Sequence, residues 1–394
     1  MSNSILTSSM AVVSVAEIES NLSVLSNGNI QFNKDFVAGN GTTIDVLIPS
    51  YGNTGTGADI SGRISDVKNT KVPVTLVQYS DGITLDMVEQ SLKVSDFAGQ
   101  IAGPYGAKFA SDIQKVAVNE LKLKADNVSV IGTGAGAVTY TDISKGIAAL
   151  NSARSSGEKF GAMSPDLATA VQNSGINFFQ ADLKDSFVNG KLGTFRGARC
   201  FETPDLAEVL TIGAQTITTV TCTAYTEGAA TMAIGGTALV GTLKAGQVLN
   251  LAGVNSVDIY GNDASKLYAV TVLADVTAAA NAATIAVKPI WFTAGPNKNV
   301  TVTPVAKALT SLHAASTTYQ TVLFWDKQAF ITASAKIKGL AVSEKKGASG
   351  NVMNSLLQVT SDGLKGIDVL RWDALLGFAI ARSNWVSRVD VKMG

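Results

Sequence analysis

Apolar residues recur along this chain at two spacings. Across residues 96–125 they repeat every four positions at Phe97, Ile101, Tyr105, Phe109 and Ile113, and Val116 and Leu121 continue the stripe. That spacing predicts one long helix with a single buried face. Asp96 is placed to cap it, Pro104 to kink or restart it, and Glu120 and Lys124 to pair across one turn. From Tyr105 to Ala125 such a helix spans roughly 30 Å. Shorter helices are predicted over 15–25, with Ile18, Leu22 and Leu25 on one face, and over 143–153 behind a cap at Asp142. A further one follows Ser164-Pro165-Asp166, where proline takes the first helical position.

Elsewhere the spacing is that of strands. Residues 43–48 form a β-prone run closed by Pro49, and a second run covers 72–77. Between them, SYGNTGTGADISGRISDVKNT holds Gly52, Gly55, Gly57 and Gly62 and little apolar content. This predicts a long two-stranded excursion with a glycine-rich tip, and such a ribbon is marginal in water without outside support. Residues 83–94 read as a further strand. From 211 to 310 short apolar runs recur at 216–223, 247–251, 267–273, 284–290 and 299–303. The pairs Gly235-Gly236, Ala245-Gly246, Gly261-Asn262 and Gly295-Pro296 read as the turns between them. That is the pattern of a small all-β barrel or sandwich. Strand-like runs return at 321–325, 329–334, 355–360 and 385–391.

Charge sharpens this picture. Charged residues make up 16% of the 394, well below the roughly 25% usual for soluble proteins. The 211–310 stretch carries nine. Two readings remain open: a subunit whose surface is largely covered by partners, or a β-rich chain decorated with Ser and Thr. The 31 basic and 31 acidic residues cancel, and the densest basic cluster, Glu344-Lys345-Lys346, reads as a solvated turn. No electrostatic footprint for nucleic acid is present. The N-terminus lacks a positive region before its apolar residues, so no signal peptide is assigned, and no apolar run is long enough to span a membrane.

Candidate chemistry is sparse. The run Gly132-Thr-Gly134-Ala-Gly136-Ala137 satisfies the spacing of a dinucleotide fingerprint. A working fingerprint needs a helix opening directly behind the turn, to receive the pyrophosphate, and an acidic residue about 20 positions on. Here the β-prone Val138-Thr139-Tyr140-Thr141 follows, and the nearest acid, Glu158, lies in a loop. The run is therefore read as a flexible linker from the long helix into the next domain. His313 is the one histidine and reads as a surface or capping residue; a zinc site or a Ser-His-Asp triad would have to be built on it alone. Cys200 and Cys222 have no metal spacing and read as plain thiols. Thr54–Ile60 lacks the Gly-Lys-Ser/Thr of a phosphate loop, and Asp258 and Asp263 lack the spacing of a calcium loop. No catalytic, cofactor-binding or metal-binding residue is assigned, and the chain is not expected to be an enzyme.

The order of parts carries a different signal. Ile5-Leu6-Thr7 with Glu17-Ile18-Glu19-Ser20-Asn21-Leu22, Phe36 through Ile48-Pro49, Asp96-Phe97, the segment LKAGQVLNLAGV at 243–254, Phe324-Trp325-Asp326-Lys327-Gln328-Ala329-Phe330, and Gly363 through Gly377 follow one another along nearly the whole chain. In that order they resemble the arm, loop entry, spine helix, barrel unit, re-entering strand and closing strands of the major capsid proteins of tailed bacteriophages, the Hong Kong 97 fold. The likeness is greatest to the branch with an inserted six-stranded β-barrel, the podovirus coat proteins of the Salmonella-phage type. The resemblance implies an α+β fold: an N-terminal arm at 1–42, an extended β loop with flanking strands at 43–95, and a spine helix at 96–126. The first part of the peripheral and axial domains follows at 127–209, an inserted barrel at 210–306, and the axial remainder with the closing peripheral strands at 307–394. It implies self-assembly into hexamers and pentamers of an icosahedral head that encloses double-stranded DNA. Its partners would be a scaffolding protein during assembly, a portal protein and a decoration protein, with assembly in the host bacterial cytoplasm. An encapsulin-like nanocompartment shell, a nucleotide-binding oxidoreductase and a tail-tube or decoration protein are the competing readings. The barrel argues against the first, the loop chemistry after Gly136 against the second, and the long helix against the third.

Overall fold

The computed structural model describes residues 16–18, 21–30, 41–48, 56–57, 70–86, 103–132, 138–175, 194–258, 260–295, 297–337, 344–349, 352–362 and 367–393. In chain order the elements are α1 (Ser23–Ser26), β1 (Thr43–Ile48), β2 (Thr70–Thr75), β3 (Val77–Asp86), α2 (Gly103–Lys124), β4 (Asn127–Ile131), α3 (Tyr140–Ser152), β5 (Lys159–Met163), α4 (Pro165–Gly175), β6 (Thr194–Phe195), β7 (Ala198–Glu202) and β8 (Leu210–Ile212). Then come β9 (Gln215–Ala224), β10 (Thr231–Leu243), β11 (Val248–Val257), β12 (Asp263–Val272), β13 (Val276–Thr277), β14 (Ala282–Lys288) and β15 (Leu309–Ser311). The chain closes with β16 (Thr317–Asp326), β17 (Phe330–Ala335), β18 (Glu344–Ser349), β19 (Asn354–Asp362), β20 (Ile367–Ile380) and β21 (Val386–Lys392). The fold is α+β and mostly antiparallel sheet. It divides into two compact units, 1–46 with 71–118 and 330–381, and 47–70 with 119–329 and 382–394.

In the first unit β20 is the spine of a sheet. It pairs with β3 on one edge and with β19 and then β17 along the other, and β18 pairs with β19. The ring of Tyr105 on α2 stacks on Trp372 of β20, centroids 6.0 Å apart. Phe109, Ile113, Ala117, Val118 and Leu121 form the buried face of α2, as the four-residue spacing requires. Val116 departs from the expected stripe and is 43% exposed, because the row 109-113-117-121 places it on the other side of the helix. Pro104 lies in the first turn of α2, where no backbone donor is needed, and Glu120 pairs with Lys124 as expected. The expected cap at Asp96 lies outside the described residues.

Residues 16–30 are held within their own unit. Ile18, Leu22, Val24 and Leu25 are buried in their own unit. The Val24 amide donates to Gln114 of α2 at 2.9 Å, and Asn29 bridges Ile331 of β17. β1 and β2 form a separate two-stranded sheet, as the sequence indicates. Val46, Val74 and Leu76 at its base pack on Ile331 and Ala333. Leu47 is 54% exposed. The glycine-rich tip lies outside the described residues except for bends at Thr56 and Gly57.

In the second unit the carrier sheet runs β4-β21-β16-β5-β7-β6, with β8 also on β16. Helices α3 and α4 cover it: Ile143, Ile147 and Leu150 with Leu167, Ala168 and Val171 bury Phe324 and Val389. Helix α3 starts earlier than expected. Thr139, not Asp142, is its N-cap, and Asp142 sits three residues on and closes a capping box with it. The linker expected at the glycine run lies outside the described residues except for Gly132.

Between β8 and β16 stands the barrel, whose strands run from Gln215 to Ser311 in the order β9-β10-β14-β12-β11-β15. It is nearly closed: Thr221 bridges Ala308, and Cys222 exchanges backbone hydrogen bonds with Lys307 and Ala306 at 2.9 and 2.8 Å. Val220, Met232, Ile234, Leu249, Leu251, Val270, Ile285 and Trp291 fill it. Closure leaves no long edge to aggregate. Gly246 and Gly261 serve as turns at φ +88° each. Three other expectations fail here and beyond. Gly235-Gly236 lies inside β10, the run at 299–303 contributes only a bridge from Val300 to Ser256, and Glu344-Lys345-Lys346 belongs to β18. A glycine at 236 is needed because β9 passes so close: a Cβ there would stand 2.2 Å from the Thr219 carbonyl oxygen. Gly236→Ala is expected to cost about 1–3 kcal/mol of stability by urea unfolding. Gly213→Ala, whose Cβ would meet nothing within 4 Å, is expected to stay within about 0.5 kcal/mol.

Candidate functional site

The polar centre of the second unit lies where the barrel meets its carrier sheet. Strand β21 alternates, so Arg388 and Asp390 share one face, and both are buried. The Arg388 Nε donates to the two oxygens of Asp390 at 2.8 and 2.9 Å, and a terminal nitrogen donates there as well. Its remaining donors reach the carbonyls of Lys122, at the end of α2, and Gly246, in the turn between β10 and β11. One guanidinium thus ties a helix end and a barrel turn to the sheet. Asp390 also accepts from Thr321 on β16 and His313 after β15, each at 2.8 Å.

His313 is fully enclosed rather than on the surface, which corrects the sequence reading. Its Nδ1 accepts the Val248 amide at 3.2 Å, so the proton is assigned to Nε2, which donates to Asp390. The ring meets Tyr319 edge-on, centroids 4.6 Å apart. Burial pushes the Asp390 carboxyl upward, but the charge of Arg388 and the hydrogen bonds from His313 and Arg388 outweigh it and hold the group well below the usual carboxylate range. Apolar contacts of Val128, Val248 and Ala269 flank this polar set. A second fastening joins the end of α3 to the barrel: Arg154, at φ 57° just past α3, pairs with Asp258 at 3.3 Å and lies over the Tyr260 ring at 4.8 Å.

None of this is arranged for catalysis. Every oxygen of Asp390 is engaged, and the imidazole is locked between two partners. The signal missed in the sequence was Arg388-Val389-Asp390, two charges at i and i+2 in a strand otherwise buried. The other candidates stand apart from one another. Helix α3 satisfies its own first turn through Thr139 and Asp142, which sets a negative charge at the helix start; residues 133–137 of the glycine run lie outside the described residues. Glu158 pairs with Arg199 and Lys327. Asp258 and Asp263 accept the amides of Tyr260, Asn262 and Ser265 and serve as turn caps. Burial pushes the Cys200 thiol up to about 12 and the Cys222 thiol up to about 11, so neither is a nucleophile at neutral pH. Among the described residues no three His, Cys, Asp or Glu side chains converge on one point, and no helix is long and apolar enough to cross a membrane. A cleft in the first unit, lined by Tyr79, Asp81, Lys108 and Asp112, encloses about 190 Å³, less than the roughly 300 Å³ at which small-molecule sites begin.

No protein-family model matches the chain, and no curated protein matches it in sequence. It is similar to solved structures of shells. The capsid of Ralstonia phage GP4 matches with a TM-score of 0.49 at 8% identity, over 90% of this chain and 84% of that one. The acid-stable capsid structure of Helicobacter pylori bacteriophage KHP30 matches with a TM-score of 0.45 at 11% identity, over 91% and 85%. The virus-like particle from Pyrococcus furiosus matches with a TM-score of 0.42 at 8% identity, over 98% and 97%. Likeness at this level carries no functional conclusion by itself.

The buried set makes a clear energetic demand. Arg388→Met strands a buried carboxylate, and the expected loss is about 3–5 kcal/mol by urea unfolding. A depressed carboxyl stabilises the fold above its unfolded value of about 4 and loses that contribution as pH falls toward its folded value. Wild-type stability is therefore expected to drop below about pH 4, and Arg388→Met to show a flatter acid limb in the same titration.

Proposed function

We infer that the chain is a shell subunit, the major capsid protein of a tailed double-stranded DNA bacteriophage. The observation that carries this reading is the β1–β2 ribbon. It is a two-stranded sheet of its own, anchored at its base by Val46, Val74 and Leu76, with Leu47 exposed beyond that anchor. A two-stranded sheet gains stability from a further strand or surface, and a neighbouring copy supplies one by strand addition. The order of parts around it supports the same reading: ribbon, long helix, carrier sheet, inserted barrel and closing strands. So does a charged content of 16%, which fits a surface largely given over to contacts between copies.

On this reading the subunits form hexamers and pentamers of an icosahedral head in the host bacterial cytoplasm, helped by a scaffolding protein and joined to a portal and a decoration protein. The head encloses DNA without gripping it, since tight phosphate binding needs clustered Lys and Arg and the net charge here is zero. The inserted barrel speaks against the nanocompartment reading. The mechanism is architectural: the buried Arg388 set keeps barrel and carrier sheet in one piece, and the ribbon offers its strands to the next copy.

Leu47→Asp tests this. The variant is expected to leave the unfolding free energy of the free subunit in urea within about 0.5 kcal/mol of wild type, since Leu47 is exposed. In sedimentation velocity and negative-stain microscopy, wild type with its scaffold gives closed shells, and the variant gives free subunits or capsomers. Shells formed equally well by Leu47→Asp would remove the ribbon from the assembly mechanism. A wild-type chain that remains monomeric with scaffold present would remove the capsid reading.

A further inference from the structure

Strand β20 pairs with β3 from Ile367 to Leu376, and the last pair joins Leu376 to Val77. At the next residue, Gly377, the chain ahead of Val77 has left that edge and lies over the face of β20 as the base of the ribbon. A Cβ at 377 would stand 2.5 Å from the Thr75 carbonyl oxygen, 3.0 Å from its carbon and 3.2 Å from Leu76 Cδ2. Gly377 is not among the glycines with a positive φ, so glycine is required here for room and not for conformation. The other edge of β20 is still occupied at this point, by Ala333 of β17.

The floor around Gly377 is made of small residues. Ala333, Ala335 and Ala379 pack with Val46, Val74 and Leu76 of the ribbon base. The two ribbon strands are tied to each other at the same place. The Leu76 amide donates to the Thr42 carbonyl at 2.8 Å, and the Thr43 and Thr75 hydroxyls are 3.0 Å apart. The base therefore moves as one piece. Strand β20 is held along both edges, whereas the ribbon is a sheet of two strands, so a collision between them displaces the ribbon.

We propose that Gly377 is a positioning residue for the ribbon: by letting Thr75 lie directly on β20 it fixes the direction in which β1 and β2 leave the sheet, and closed-shell assembly depends on that direction. The consequence for assembly rests on the shell reading; the geometry does not. With a methyl group at 377, the Thr75 oxygen has to rise by about 0.9 Å, from 2.5 Å to an ordinary contact at 3.4 Å. Thr75 lies two residues from Val77 and Lys71 lies six. At roughly 3.4 Å per residue these are about 7 and about 20 Å of strand, so a tilt about Val77 grows to about 2–3 Å at Lys71.

Double electron–electron resonance on the full chain reads this tilt. Spin labels go on Lys71→Cys and Val116→Cys, both exposed and both in the first unit. The native thiols, kept protonated by burial, react slowly with the label. Gly377→Ala is expected to shift the mean distance by about 2–3 Å without broadening the distribution. Loss of local packing alone would broaden the distribution and leave its mean in place. Ala379→Val gives a second reading that does not depend on how Gly377→Ala folds. It lengthens a side chain that the floor already holds, and it is expected to move the mean in the same direction. With scaffold present, both variants are expected to give open or malformed shells by negative-stain microscopy where wild type gives closed ones. A folded variant whose mean distance stays within about 1 Å of wild type overturns the proposal. So do closed shells formed equally well by a variant whose ribbon has shifted. A wild type that forms no shells removes the capsid reading and with it the dependence of assembly on direction, while the distance shift still decides whether Gly377 positions the ribbon.

Discussion

The second unit depends on one buried guanidinium. Arg388 spends its donors on a carboxylate two residues away, on the last turn of a long helix and on a turn of the barrel. Without Arg388 the carboxylate would be a buried charge with no counter-charge in a dry interior. The carboxylate is saturated in turn by His313 and Thr321, so the set is complete only when helix, barrel and sheet are all in place. Such a set adds little net stability over well-packed apolar groups, but it penalises every wrong arrangement. It therefore acts on registry: the barrel has one seat.

This explains how an insertion of roughly a hundred residues can be carried by a sheet without disturbing it. The chain leaves the carrier at β8 and returns at β16, and these two strands pair with each other, so the barrel's entry and exit are stitched side by side. Inside, the barrel closes its own ladder and buries its own core. What remains for the joint is orientation. Apolar contacts of Val128, Val248 and Ala269 supply adhesion, and the Arg388 set supplies direction.

The elements legible from the amino-acid order alone were those encoded within a few residues. The four-residue row along α2, the β-prone runs of β16 and β21, the proline that opens α4 and the turns at Gly246 and Gly261 all follow from local sterics and local composition. The near absence of charge across the barrel was equally visible. Where local reading failed, a distant partner had overruled it. Gly235-Gly236 looked like a turn because glycine pairs usually are; it lies mid-strand because another strand comes too near for a side chain. Val116 looked like core because it is apolar; the helix turns it outward. Residues 16–30 showed an apolar face, and only the fold supplied its partners, Gln114 and Ile331.

The same division holds for function. Composition and the order of elements determined that this chain has few means of chemistry and many of contact: one histidine, two separated thiols, balanced charge and a ribbon of two strands. Only the tertiary structure decided which polar groups are enclosed. His313 meets Asp390 across 77 positions, and Asp126 meets Ser383 across 257. Nothing within a turn or a strand of either residue records those meetings. Burial is a property of the assembled fold, and the strength of a charge depends on what surrounds it rather than on its neighbours in the chain.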